Sequence, residues 1–302
     1  MLSVVIPSYN EEQMILRTAG VLESLLSDEH ILHELVFIDD GSKDGTWRQI
    51  CEAHEKYESV RGVHFSRNFG KEAAIFAGLS EAKGSCVAVM DCDLQHPPQT
   101  LIEMYRKWED GYEVVEGVKR TRGKESAAHR TATGIFYRIM SKAVKIDMSR
   151  ASDFKLLDRK AVDSILEMPE RNAFFRAMSS WIGFRQTQVE FDVQEREAGE
   201  TKWSTRKLIA YAISNIVGYS TAPMQIVTGA GIVVFLLAVV LGIQTLVRYC
   251  SGHAVEGFTT VILLILLIGS VVMFSLGVIG YYIARIYEEV KGRPKYIISK
   301  RV

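Results

Sequence analysis

Two stretches without a charged side chain decide what this chain can fold into. Residues 208–247 contain no Asp, Glu, Lys or Arg, and residues 257–284 contain none either. A helix needs about 20 predominantly apolar residues to cross the hydrocarbon of a bilayer, and core helices of soluble proteins seldom run that far without charge. Segments 225–247 and 258–281 reach that length, so the sequence predicts a two-helix transmembrane hairpin over 223–284. Residues 1–7 lack the length and basic start of a signal peptide.

Charge around the hairpin predicts its orientation. Lys202, Arg206 and Lys207 precede it, and Arg285, Lys291, Arg293, Lys295, Lys300 and Arg301 follow it. The connecting stretch 248–256 holds one Arg. The positive-inside rule then puts both termini and the polar part on the cytosolic face of a cell membrane. Just before the hairpin, Leu208, Ile209, Ala212, Ile213, Ile216 and Val217 recur at helical spacing, which predicts an amphipathic helix in the interface, ending near Pro223. The expected organisation is a soluble domain over 1–203, this interfacial helix over 204–222, the hairpin, and a basic tail over 285–302. Gly269, Met273, Gly277 and Gly280 fall along one side of the second span, a pattern that suits either close packing on the first span or a homo-oligomer.

The polar part reads as alternating strands and helices. Strands are predicted at 2–7, 35–38, 60–65, 86–90 and 113–118, and helices at 11–27, 44–57, 71–82 and 98–110. Such alternation implies an α/β fold with a mainly parallel sheet covered on both faces. Ligands of such sheets bind beyond the carboxyl ends of the strands. The 36 basic and 36 acidic residues cancel, which leaves no basic surplus for a nucleic-acid partner. Cys51, Cys86, Cys92 and Cys250 show no paired spacing, so neither a zinc site nor a disulfide framework is indicated.

The residues suited to chemistry sit at those strand ends. The apolar fourth strand runs into Asp91-Cys92-Asp93-Leu94-Gln95-His96-Pro97-Pro98. Two carboxylates one residue apart at a strand end can share a hard cation such as Mg2+ or Mn2+, which would neutralise a diphosphate. His96 is read as a supporting residue, or as a ligand. The first strand ends in Pro7-Ser8-Tyr9-Asn10-Glu11, where Tyr9 can stack on a base. The second ends in Asp39-Asp40-Gly41, where Asp40 can accept hydrogen bonds from a base or ribose. Asp44-Gly45-Thr46 reads as turn and helix-cap chemistry. Lys119, Arg120, Arg122, Lys124 and Arg130 form a basic segment after the fifth strand, with Arg120, Arg122 and Arg130 suited to a phosphate monoester.

The segments VVIPSYNEE, IDDGSKDGT, SRNFGKEAA and MDCDLQHPP resemble the family 2 glycosyltransferases of A-type, Rossmann-like fold. ASDFKLLDRKAVD, EREAGETKWSTRKL and the two spans narrow the resemblance to the polyprenyl-phosphate glycosyltransferases: bactoprenol glucosyltransferases, their N-acetylglucosamine-transferring relatives and, more distantly, dolichol-phosphate mannose synthases. The resemblance implies that Pro7, Tyr9, Asn10, Glu11, Asp40, Lys71 and Asp91 bind a sugar nucleotide, and that Asp91, Asp93 and Gln95 hold the metal. It implies Asp153 as the candidate base and places residues 199–204, with Lys202, near the donor phosphates and the acceptor. Cys92 and His96 stand where many relatives have Ala and Asp.

The implied reaction is inverting, metal-dependent transfer of glucose or N-acetylglucosamine from a UDP-sugar to undecaprenyl or another polyprenyl phosphate. A phosphate monoester has a second pKa near ~6 and is already nucleophilic at neutral pH. Asp153 is therefore expected to orient the acceptor or stabilise charge rather than to remove a proton, with Asp93 and Lys202 carrying catalysis beside it. Rival readings are a GDP-mannose-using synthase, a processive polysaccharide synthase and a non-catalytic nucleotide-binding membrane scaffold. The second lacks its Gln-x-x-Arg-Trp segment here; the intact acidic set argues against the third. A nicotinamide dehydrogenase is excluded, since no GxGxxG follows a strand.

Overall fold

Apolar runs that end in turn residues become strands, and the amphipathic runs between them become helices. A computed structural model of the protein describes residues 1–120, 141, 152–170, 174–192, 222–251 and 257–302. The strands are β1 (Leu2–Ser8), β2 (His33–Asp39), β3 (Val60–Phe65), β4 (Cys86–Val89), β5 (Val114–Lys119), β6 (Lys155–Asp158), β7 (Gln186–Phe191) and β8 (Ile298–Arg301). The helices are α1 (Ile15–Asp28), α2 (Thr46–Lys56), α3 (Lys71–Glu81), α4 (Pro98–Glu109), α5 (Arg159–Leu166), α6 (Phe175–Trp181), α7 (Ala222–Cys250) and α8 (Phe258–Val290).

One sheet of eight strands has the order β7-β5-β6-β4-β1-β2-β3-β8. Its centre, β4-β1-β2-β3, is parallel. These strands are buried on both faces and read as continuous apolar runs, as parallel strands do. Apolar faces of α1, α2 and α4 pack with Leu2, Val4 and Phe37 on one side. The α3, α5 and α6 helices pack with Val5, Val36 and Val87 on the other. After β1 the chain winds toward β2 and β3, then crosses back to place β4 on the far side of β1. The carboxyl ends of β1 and β4 therefore diverge at a topological switch point, where such folds open a crevice.

The sheet's flanks differ from a parallel extrapolation. β6 runs antiparallel to both β4 and β5, while β7 is parallel to β5. β8 pairs antiparallel with β3. Residues 298–301, expected to lie in a tail, thus form the edge strand. Val302 exchanges backbone bonds with Gly62 at 2.9 and 3.0 Å, and Arg301 reaches Glu81 at 2.9 Å. The first helix begins at Ile15 rather than at 11 because residues 10–12 are committed to hydrogen bonds with the turn after β2.

The chain divides into two compact units, residues 1–209 with 293–302, and residues 210–292. The second holds α7 and α8, of 29 and 33 residues. At 1.5 Å per residue they extend about 44 and 50 Å, more than the ~30 Å hydrocarbon core of a bilayer. Both are long and apolar enough to cross a membrane, and neither buries its apolar stretch within the protein. Ile226, Phe235, Met273 and Phe274 are exposed. Among the described residues, a Cβ at Gly269, Gly277 or Gly280 would meet no atom within 4 Å, so no close approach of α7 is seen there. The interfacial helix expected before α7 lies outside the described residues up to 221.

Candidate active site

The loops after β1 and β2 are knitted together. Asn10, in the left-handed region at φ 54°, donates its N–H to Ser42 Oγ at 2.8 Å, and its side-chain oxygen accepts from Lys43 N at 3.0 Å. Glu11 N donates to Thr46 Oγ1 at 2.8 Å. Asp44 accepts from Thr46 N at 3.0 Å and Oγ1 at 2.6 Å, the expected turn chemistry. Pro7 lies within β1, and Tyr9 is half-buried at its end.

Asp40 follows β2 and is buried. Its carboxylate accepts from Phe69 N at 2.6 Å, Gly70 N at 2.9 Å and Asn68 Nδ2 at 2.8 Å. It therefore fixes the turn that launches α3. Gly41, at φ +65°, permits this approach, since a Cβ there would stand 2.3 Å from the Arg67 carbonyl carbon. Burial, with Asp39 beside it, raises the Asp40 pKa to about 6 against the two backbone N–H bonds.

Sheet register builds the centre of the site. Val89 of β4 pairs with Lys155 of antiparallel β6, so the register carried two residues past the strand ends, through Met90 and Phe154, sets Asp91 against Asp153. Two facing carboxylates repel unless a cation lies between them. Lys71, the first residue of α3, supplies it, with Nζ 2.7 Å from Asp91 Oδ1 and 3.0 Å from Asp153 Oδ2. Arg176 of α6 grips Asp153 from another side, Nε to Oδ1 at 2.6 Å and Nη2 to Oδ2 at 2.7 Å, a two-pronged charge-assisted geometry. Burial alone would raise the Asp153 pKa, but Arg176 and Lys71 outweigh it and hold the carboxyl far below the usual range. Asp91 is likewise lowered: burial opposes ionisation, and Lys71 overcomes it. Burial also works against the Lys71 ammonium, which Asp153 and Asp91 hold above the ordinary lysine range.

A second row supports this centre. Glu72 accepts from Phe175 N at 2.9 Å, tying the start of α3 to the start of α6. Burial, then Asp153, raises its pKa to about 7. Lys155, 1% exposed, pairs with Glu116 at 3.0 Å and donates to Ser180 Oγ at 3.3 Å. Gly117 lets Phe154 lie flat on β5, where a Cβ would come 2.4 Å from the ring.

Asp93 is buried, and its Oδ1 accepts the Gln95 N–H at 3.1 Å across Leu94, which sits in the left-handed region at φ 53°. Such a conformation is uncommon for a bulky residue and clusters at functional turns. His96 stacks on Phe154, with centroids 4.6 Å apart, and its Nδ1 is buried without a hydrogen-bond partner. Burial lowers its pKa in spite of Asp91, which leaves a neutral ring. Among the described residues no group of three or more His, Cys, Asp or Glu side chains stands ready to hold a metal. Arg120 is exposed and faces Asp192 at 3.2 Å and Glu190 at 3.8 Å. Lys202, Arg122 and Arg130 lie outside the described residues.

The structure thus joins Lys71, Asp91 and Asp153 and adds Arg176, Glu72 and Lys155, which sequence reasoning missed. Arg176 stands in an unremarkable FRAMSSW helix, and no local spacing links it to Asp153. A single Lys between two apolar strand residues, as in Phe154-Lys155-Leu156, is the one signal that pointed to a buried ion pair.

Known proteins show the same arrangement of chain. The family described as Glycosyl transferase family 2 matches residues 3–166, more than half the chain, from Ser3 of β1 through β6. An "Uncharacterized glycosyltransferase" of Synechocystis is 37% identical over 300 residues, 99% of this chain and 94% of the relative. A "Prophage bactoprenol glucosyl transferase homolog" of Escherichia coli is 37% identical over 305 residues, 99% of this chain and 98% of the relative. Glucosyl-3-phosphoglycerate synthase from Mycobacterium tuberculosis, solved with Mn2+ and UDP-glucose, has the same GT-A fold: TM-score 0.51 at 20% identity, covering 72% of this chain and 77% of that one. With the acidic strand ends inside the matched region and the likeness to relatives running the full length, the chain belongs to glycosyltransferase family 2 and is a glycosyltransferase of GT-A fold.

Proposed function

We propose that the enzyme transfers a sugar, glucose or N-acetylglucosamine, from a UDP-sugar to the phosphate of a polyprenyl phosphate, with inversion, at the cytosolic face of a membrane. The observation that carries the reading is the grip on Asp153. A carboxylate held by Arg176 and Lys71 has little affinity for a proton and is a poor general base. An acceptor hydroxyl would need such a base; a phosphate dianion does not. The bactoprenol relative's name and the two apolar helices support a lipid-borne acceptor. The chain leaves the catalytic unit before the helix pair and re-enters it at Arg293, so a pair that crosses the bilayer twice returns both ends to one side.

A divalent cation, Mg2+ or Mn2+, fits the donor set: Asp91 and Asp93 are oxygen ligands at the switch point, and Asp91 already takes a cationic partner. Two carboxylates completed by substrate phosphates are a usual way to hold such an ion. Bound there, such an ion would supply Lewis-acid charge to a leaving diphosphate. Asp91, Asp93 and Gln95 would hold it, and the Gln95 N–H keeps the Asp93 turn in shape. Tyr9 and the loops tied by Asn10 and Glu11 border the donor, with Asp40 fixing the turn before α3. Asp153 faces the reacting carbon as a fixed negative charge, which stabilises positive charge developing there. Arg120, Arg122, Arg130 and Lys202 are assigned to the phosphates.

Incubation of the full chain with undecaprenyl phosphate and a panel of UDP- and GDP-sugars, followed by mass measurement of the lipid, tests the reading. A lipid heavier by one hexose or N-acetylhexosamine with a UDP-sugar, lost on chelation, is expected. A product formed only with GDP-mannose, or transfer unaffected by chelation, contradicts it.

A further inference from the structure

We infer that the Lys71 ammonium is a built-in counter-ion that the divalent cation must displace from Asp91, so that cation and nucleotide bind together rather than one after the other. The inference rests on the proposed cation site. Lys71 Nζ lies 2.7 Å from Asp91 Oδ1, within the space a metal ion bound to that oxygen would claim. The Asp91 side chain is 32% exposed and that of Lys71 39%, so solvent reaches the pair and it can open.

Asp153 does not need Lys71 to stay ionised. Its two oxygens keep the Nε and Nη2 bonds from Arg176 when the ammonium leaves. Lys71 is also free to move. It is the first residue of α3, and among the described residues no atom lies within 4 Å of where a Cβ on Gly70 before it, at φ +102°, would stand. An ammonium beside a divalent ion on one carboxylate is repelled, and the nearest new source of negative charge is the diphosphate that arrives with the donor. Without nucleotide, the displaced ammonium keeps only Asp153, which Arg176 already neutralises, and cation affinity is low. With nucleotide, Lys71 passes from Asp91 to the phosphates, and affinity rises. In resting enzyme the same lysine keeps Asp91 and Asp153 from repelling each other.

Mn2+ binding to the full-length enzyme in detergent, read from the loss of the free-ion spin-resonance signal, tests this without turnover. Measurements are made with and without UDP on wild type, Lys71→Met and Lys71→Gln, with melting curves to verify folding. Wild type should bind Mn2+ weakly alone and far more tightly with UDP. Either folded variant should bind Mn2+ alone about tenfold more tightly, the scale expected when partly exposed ion pairs no longer have to be broken. The gain from UDP should shrink by the same factor. Mn2+ affinity unchanged or weakened in both variants, while UDP still promotes binding in wild type, overturns the counter-ion role and spares the cation site. No Mn2+ binding by wild type even with UDP overturns the site and this inference together.

Discussion

Replacing Arg176 with Met separates the two parts Asp153 could play. The change keeps an unbranched stem but removes both charge-assisted bonds, 2.6 and 2.7 Å, from a carboxylate whose side chain is 9% exposed. Breaking a buried pair by removing one partner costs about 3–5 kcal/mol. Lys71 remains at 3.0 Å, so the lower end, about 3 kcal/mol, applies. For a domain of this size that is a fall in Tm of roughly 6–12 °C. Because the Asp153 pKa is depressed in the folded protein, the stability it contributes is present above its unfolded value of about 4 and is lost as pH falls toward the folded value. In Arg176→Met that loss starts at higher pH. The double variant Asp153→Asn/Arg176→Met leaves no unpaired charge and should regain about 2 kcal/mol. Activity carries the sharper test. The acid limb of wild-type kcat/KM should be that of the acceptor phosphate, near ~6. Arg176→Met should add to it on the acid side, as Asp153 takes up a proton at higher pH than in wild type, and lower kcat roughly a hundredfold through misplacement. Melting curves and pH–rate profiles in detergent provide both readouts. A variant as stable as wild type with an unaltered profile would refute the reasoning.

Glu72, whose pKa is raised to about 7 by burial and by Asp153, takes stability away as pH rises from its unfolded value of about 4.3 through 7. Glu72→Gln should therefore be more stable than wild type by about 2 kcal/mol at pH 8 and by much less at pH 5, as urea titrations at the two pH values will report. Removal of residues 298–302 strips β3 of its edge partner, of the two Val302 backbone bonds and of the Arg301–Glu81 pair. Near 1 kcal/mol net per hydrogen bond, it should lower stability by about 3 kcal/mol and promote aggregation through the bared edge, measurable by thermal unfolding and light scattering.

The first half of the catalytic unit was legible because its signals are local. Continuous apolar runs such as Leu2–Ser8, bounded by turn residues, gave β1 to β5 to within a few residues. The acidic strand ends followed from the same reading. What was hidden depends on pairing across the sheet. β6 is four residues long with a lysine at its start, and that lysine is buried only because Glu116 meets it from β5. β8 has one apolar residue and three polar ones, and is a strand because β3 offers an open edge. Asp91 faces Asp153 through an antiparallel register, and Arg176 reaches them from a helix with no motif of its own. The link from Glu72 to Phe175 spans 103 residues, a distance over which no sequence periodicity speaks.

The central claim is that a sugar moves from its nucleotide onto a phosphate oxygen of the acceptor, with no base required at Asp153. Undecaprenyl phosphate labelled with 18O at its non-bridging oxygens tests this most directly, by mass and NMR of the product made from an α-linked UDP-sugar. One phosphodiester phosphorus, full retention of the label and a β-linked sugar are expected. A diphosphate-linked product, loss of label, or an α-linkage would contradict the claim.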